Sequence, residues 1–229
     1  MSAPAEAAGL ARSSLRFVDD VADLVSVFDD GVSVVTLSRP VVPALAEEAS
    51  RFASLAAVPK RLFVRTDAGT LPCVGDALLD APHLRAEILF ASELLRDVTG
   101  CEEVGVRIAQ LDRAMCPRFH VDRVTLRVVC TMAGCGTQFV SNDDVDRSRL
   151  GHAASDTTDE ASGLLCVSGC IRHAQPFDLV FLKGEAWTDN AGRGAVHRSP
   201  AVHAVSPRVV MTLVLFELGR WVHAAGALA

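Results

Sequence analysis

The sequence predicts an α+β protein: a double-stranded β-helix, or jelly roll, with N-terminal helices packed on it. Three observations predict it. Helical and mixed patterning runs to about residue 102, and from Glu103 the texture changes to strands. Six strands can be read in the second half, and the patterning leaves room for the eight of a jelly roll that closes a core around a small-ligand cavity. Two long strands, one holding His120 and one opening at Arg208, place polar or charged residues at the head of an apolar stripe.

Residues 1–15 are expected to be disordered, because Ala, Ser, Pro and Glu dominate and offer little to bury. Residues 16–102 read as a helical and mixed part and residues 103–229 as the metal-binding jelly roll, together forming one continuous domain. Apolar residues at 17, 18, 21, 24, 25 and 28 suggest a short helix over Phe17–Phe28. Asp29-Asp30-Gly31 turns the chain into a strand at Val32–Leu37. Pro43–Ala57, rich in Ala and Glu, is a second amphipathic helix, and Lys60–Thr66 another strand. His83–Val98 is a helix with a full apolar stripe, and Gly100 ends it because glycine tolerates the left-handed conformation past a helix end. Strands are then expected at Val104–Leu111, Val121–Thr131, Thr137–Val140, Leu164–Val167, Leu179–Leu182 and Arg208–Phe216. The polar stretch Asn142–Gly163 reads as a mobile loop or insertion.

Composition narrows the function classes. The 229 residues are 50% hydrophobic and 22% charged, with a net charge of −6 and a pI near 5.6. That charge gives no basic footprint for nucleic acid, and few aromatics are available for base stacking. Apolar runs such as Val209–Phe216 fall short of the roughly 18 residues that span a bilayer. The N-terminus has no basic segment followed by an apolar one, so neither a membrane partner nor a signal peptide is expected, and the location expected is cytoplasmic. Arg outnumbers Lys twenty to two, which fits codon bias in a GC-rich bacterial genome.

Along the stretch Cys116–Thr131, read as a strand, side chains alternate faces, which puts His120, Asp122, Val124, Leu126, Val128 and Cys130 together. An imidazole and a carboxylate two residues apart can reach one divalent ion, and a second histidine would complete a 2-His-1-carboxylate set. The H-x-D pattern alone fits a surface His and Asp equally well. His197 follows a Gly-rich turn at Gly192 and Gly194 and is the distal candidate, with His203 nearby as another. Arg208 heads the last strand, sharing a face with Val210, Thr212 and Val214, where a guanidinium could clamp a carboxylate. Arg198 competes for that role, although strand alternation points it away from His197. An odd count of seven cysteines argues against a disulfide framework. Cys135, Cys166, Cys170 and His173, with His152 on the adjoining segment, offer a possible second site for zinc, or simply loop thiols.

H-x-D, a distal His and a basic residue eleven positions on resemble, over residues 103–218, the Fe(II)/2-oxoglutarate dioxygenase superfamily. FHVDRVTLRVVCT, LKGEAW and GRGAVHRSP resemble, over most of the chain, a bacterial family of domains of unknown function that tends to lie near zinc-homeostasis GTPases. The resemblance implies a cupin-like form of the jelly roll. It makes His120, Asp122 and His197 the metal ligands, for Fe(II) or zinc, and Arg208 with Thr212 the residues that bind 2-oxoglutarate. The activity implied is oxidation of a second substrate coupled to decarboxylation of that small-molecule cosubstrate. The alternative is a non-catalytic zinc-binding or zinc-homeostasis protein on the same scaffold.

Overall fold

In the computed structural model, which describes residues 13–54, 61–67, 78, 80–151, 157–166, 170–202 and 207–215, the N-terminal part supplies both helices and strands. β1 (Leu15–Val18) and β2 (Val34–Leu37) pair in parallel, followed by helix α1 (Pro43–Ser54), β3 (Arg61–Asp67) and helix α2 (Pro82–Thr99). α1 buries Leu45, Glu48, Ala49 and Phe52, three to four residues apart, as a one-faced helix should. α2 begins on Pro82, buries Leu84, Ile88, Ala91 and Leu95, and stops at Gly100 with φ 70°.

β4 (Glu103–Leu111), β5 (Leu126–Ala133), β6 (Gln138–Val140), β7 (Arg172–His173), β8 (Leu179–Lys183), β9 (Val196–Arg198) and β10 (Arg208–Leu215) follow. The large sheet has the order β1-β2-β8-β5-β10-β4-β3, and the small one β7-β6-β9. His120 joins the edge of the small sheet through an antiparallel bridge to His197. From β4 onward the chain therefore visits large, small, large, small, small, large, small and large sheet in turn. That alternation, with antiparallel neighbours throughout, is a double-stranded β-helix.

Three apolar clusters hold these layers. α1 and α2 cover the outer face of the large sheet, meeting Leu126, Val128 and Cys130 of β5 and Val209, Met211 and Leu213 of β10. Between the sheets lie Val129, Val180, Leu182 and Val210 against Phe139 and Ala195. Phe119, Val140 and Val196 turn outward from the small sheet and are covered by Val145, Leu164 and Cys170. Among the described residues no helix is long and apolar enough to cross a membrane.

The structure corrects several sequence expectations. Leu15–Val18 is a strand and Val21–Phe28 a 3-10 segment, because pairing with β2 overrides the local helical pattern. Only Leu24 and Val27 of that segment are buried, too narrow a stripe for the expected helix. Residues 1–12 lie outside the described residues, whereas Ser14 is buried and hydrogen-bonded to Ser141. The Asn142–Gly163 stretch carries two 3-10 turns in its described part rather than running free. Leu165 forms a single bridge with Val145 in place of the strand expected at Leu164–Val167, and Val167 lies outside the described residues. Val121–Thr131 is not one strand: pairing in the large sheet begins only at Leu126. Its apolar stripe meets the helices, so the cavity side of β5 is the opposite face, Arg127, Val129 and Thr131.

α2 lacks a side-chain cap of its own at Ala81, and Glu48 of α1 takes that place. Glu48 Oε2 accepts from the Leu84 amide at 2.8 Å and Oε1 lies 2.8 Å from His83 Nδ1. Burial pushes this carboxyl up, but the hydrogen bonds from His83 and the Leu84 amide outweigh it and hold it below the usual glutamate range. Glu48→Ala strands the Leu84 amide and is expected to cost about 1–3 kcal/mol in urea unfolding at pH 7. A group with a lowered folded pKa stabilises above its unfolded pKa. The gap between wild type and variant should therefore shrink as pH falls through the acid range.

Candidate metal centre

Two backbone hydrogen bonds, His120 N to His197 O and His197 N to His120 O, both 3.0 Å, set two imidazoles side by side. Their ring centroids are 4.4 Å apart. After His120 the chain leaves the small sheet and bends through residues 121–125 before entering β5. The turn after β8 holds this bend. The amides of Glu185, Ala186 and Gly184 donate to the carbonyls of Asp122, Val124 and Thr125 at 2.8, 3.2 and 3.0 Å. Gly184 is required there, since a Cβ would stand 1.8 Å from the Val124 carbonyl oxygen. The sequence blocks FHVDRV and LKGEAW thus meet in space, and the second shapes the backbone that carries Asp122.

The turn also delivers His197. Glu185 Oε1 accepts from the Gly194 amide at 3.1 Å and from Arg147 Nη2 at 3.0 Å, and Oε2 accepts from the Gly192 amide at 2.5 Å. This carboxylate ties the GRG segment into the entry to β9.

His120, Asp122 and His197 offer ligand atoms that all lie within 4.8 Å of one another. Asp122 and His197 are buried, whereas the His120 side chain is 31% exposed. Nδ1 of His120 lies 2.9 Å from the Arg118 carbonyl and Nδ1 of His197 3.0 Å from the Ala195 carbonyl. A carbonyl can only accept, so each Nδ1 carries a proton, and in the neutral imidazole each Nε2 presents a lone pair. These lone pairs face Asp122: His197 Nε2 is 3.3 Å from Oδ2 and His120 Nε2 3.8 Å from Oδ1.

Neither Asp122 oxygen has an aligned hydrogen bond, although both are buried. Arg127 on β5 brings Nη1 to 2.8 Å of Oδ2 as an ion pair. Burial alone would raise this carboxyl, but the neighbouring His197, Arg127 and His120 hold it well below the usual carboxylate range. An ionised carboxylate with two imidazoles tautomerised toward it, their other nitrogens fixed by backbone carbonyls, is a donor set that fits a divalent ion.

Arg208 occupies the cavity face of β10, as its alternation with Val210 predicts, and is 2% exposed. Nε donates to the Cys135 carbonyl at 2.9 Å, and Nη2 donates to Thr131 Oγ1 at 2.9 Å and Thr137 Oγ1 at 2.8 Å. No carboxylate among the described residues pairs with it, and burial pushes its pKa down to about 10. Gly134, at φ 81°, lets the turn after β5 pass close: a Cβ there would be 3.1 Å from Arg208 Cα. Thr212 lies further along the same face, buried, but the hydroxyls that hold the guanidinium are Thr131 and Thr137, which sequence reading missed. Thr131 could have been found from the cavity-face register of β5, in which it pairs with Val210.

Arg198 turns to the outer side and pairs with Asp159 and Glu160, leaving Arg208 as the buried candidate clamp. Cys135 and Cys166 are exposed, Cys170 is buried and His173 is exposed on β7. These four form no ligand group like that of His120, Asp122 and His197, the grouping found among the described residues. His152 and His203 lie outside the described residues.

A family profile described as "Protein of unknown function (DUF1826)" matches residues 18–213. No curated protein sequence matches the chain. Among solved structures, the chain is similar to the dioxygenase for auxin oxidation of rice. That match has 17% identity and a TM-score of 0.48, covering 90% of this chain and 83% of that one. It is also similar to a Pseudomonas putida prolyl-4-hydroxylase, with 14% identity and a TM-score of 0.45 over 87% of this chain and 99% of that one. HygX of Streptomyces hygroscopicus, solved with nickel and 2-oxoglutarate bound, has 12% identity and a TM-score of 0.45 over 83% and 84%.

Gly184→Ala places a methyl group against the Val124 carbonyl and must shift the bend that carries Asp122. It is expected to lower stability by about 3 kcal/mol, read as a shift in the urea midpoint. Gly192→Ala, whose Cβ would meet nothing within 4 Å, should cost much less, limited to its left-handed backbone at φ 73°.

Proposed function

The chain belongs to the DUF1826 family of proteins of unknown function, and we propose that it is a non-haem Fe(II)- and 2-oxoglutarate-dependent oxygenase. The observation that carries this reading is the conjunction, inside one jelly roll, of the His120/Asp122/His197 cluster and a buried arginine that has no carboxylate partner among the described residues. His120 and His197 would hold the ion through Nε2, and Asp122 through a carboxylate oxygen. Three protein ligands leave positions open for a chelating cosubstrate and for oxygen. Bound Fe(II) would supply the activation of dioxygen that couples breakdown of 2-oxoglutarate to oxidation of a second substrate.

The remaining roles fall to the chain itself. Arg208 would take the far carboxylate of 2-oxoglutarate, with Thr212 further along the same face. Nε and Nη2 are already spent on Cys135, Thr131 and Thr137, which fixes the guanidinium plane and leaves Nη1 for the ligand. A buried cation of this kind is costly to keep unpaired, and an incoming carboxylate offsets that cost. The apolar wall of Val129, Val180, Leu182 and Val210 keeps water out of the space between the sheets.

The same three donors could hold zinc with a bound water. Arg208 favours the oxygenase, because a zinc site gains nothing from a guanidinium held ready on the cavity face.

Metal-stripped protein titrated anaerobically with Fe(II) and then 2-oxoglutarate is expected to develop the visible charge-transfer band of the chelated cosubstrate. Arg208→Gln should weaken 2-oxoglutarate binding at least about tenfold, the loss of a charge-assisted hydrogen bond. His197→Ala should abolish the band. Tight zinc on the same three residues without any band would instead make this a zinc protein.

A further inference from the structure

We infer that Asp159 is a positioning residue that locks the two histidine-bearing segments into ligating register; this rests on the metal-centre reading above. Asp159 lies in the polar stretch between β6 and β7, on the outer side of the small sheet, and is 3% exposed. Its Oδ2 accepts from the Phe119 amide at 2.8 Å and from Arg198 Nη1 at 3.2 Å, and its Oδ1 from Arg118 Nη1 at 3.2 Å. Phe119 precedes His120 and Arg198 follows His197. In an antiparallel pair that sets His120 opposite His197, Phe119 and Arg198 form the next rung. One carboxylate therefore fastens both strands immediately beside the two ligands.

The surroundings reinforce the clamp. Arg198 stacks over the Phe119 ring at 4.3 Å, donates through Nε to Gln138 Oε1 at 2.7 Å and pairs with Glu160 at 2.5 Å. Every donor group of that guanidinium is thus committed to holding β9 against its neighbours. The rung needs fastening because the His120 segment joins the sheet by a single bridge and one further backbone hydrogen bond, Ser199 N to Cys116 O at 2.8 Å, rather than by a regular ladder. Phe119 packs with Val140 and Val196 in the outer apolar cluster, but on the side of Arg118, Asp159, Glu160 and Arg198 the surface opens into a cavity of about 470 Å³, so there the carboxylate supplies the tie between the two strands.

A buried ion pair could serve stability alone, and the test separates the two roles. Full-length wild type, Asp159→Ala, Asp159→Asn and Glu48→Ala are stripped of metal and titrated with Co(II), following the visible d–d bands. Asp159→Ala is expected to bind Co(II) about ten- to a hundredfold more weakly and to give a shifted spectrum at saturation, as when an outer partner of a ligand is lost. Asp159→Asn keeps one carbonyl for the Phe119 amide and should fall between. Glu48→Ala, whose buried carboxylate caps α2 away from the site, should lose stability yet keep the wild-type affinity and spectrum. If Asp159→Ala does not fold, Asp159→Asn decides on the same readouts. Wild-type affinity and spectrum in the Asp159 variants overturn the positioning role alone. Equal changes in Glu48→Ala also overturn it, since general destabilisation would then suffice. A wild-type protein that binds no Co(II) overturns both this role and the metal centre.

Discussion

The reciprocal backbone hydrogen bonds between His120 and His197 set the geometry on which the rest of the site depends. They join two segments far apart in sequence and fix the separation of the two rings before any side chain interacts. Once the strands are paired, each ring has one nitrogen within reach of a carbonyl near its own residue, Arg118 O or Ala195 O. Those bonds choose the tautomer, and the tautomer aims both Nε2 atoms at Asp122. A chain of local constraints, backbone to ring to lone pair, produces a preorganised donor set without a long side chain having to be frozen.

Preorganisation has an energetic cost that the fold spreads over several contacts. Asp122, Arg127, Asp159 and Arg208 are charged groups taken largely out of water, and a buried pair seldom repays its desolvation in full. Asp159 meets three donors, so its charge is well matched. Asp122 and Arg208 are less complete: among the described residues one has no aligned hydrogen bond and the other no anion. Stability is supplied elsewhere, by the apolar contact of α1 and α2 with the outer face of the large sheet. The molecule thus separates a well-packed outer layer from an inner layer whose polar groups are left partly unsatisfied, as expected where binding rather than folding sets the residue choice.

Much of this was legible in the sequence. The 3.6-residue period marked α1 and α2 to within a few residues, and Gly100 marked the end of the second. Alternation placed Arg208 on the face of Val210 and turned Arg198 away from His197, because both statements concern neighbours within one regular strand. Regularity failed at residues 121–125, where alternation was carried through a bend. Gly184 is the physical cause: residues distant in sequence hydrogen-bond the carbonyls of 122, 124 and 125 and divert the chain. Thr131, Thr137, Arg127 and Asp159 escaped notice for the same reason, since each acts through a partner on another strand or loop.

The misplaced face of β5 has a more general cause. A jelly-roll sheet with a solvent-exposed back shows its apolar residues on the cavity side, and the stripe then points inward. Here helices cover the back, so that face becomes the more apolar of the two, and the cavity side can carry Arg127 and Thr131. Hydrophobicity along a strand reports burial, not which layer does the burying. Polar residues interleaved with the stripe are the better guide to the cavity in such a fold: a buried side chain that can hydrogen-bond or ionise has a reason to be there only if something in the interior needs it. On β5 that criterion selects Arg127 and Thr131, and on β10 it selects Arg208 and Thr212, the residues that flank the space between the sheets.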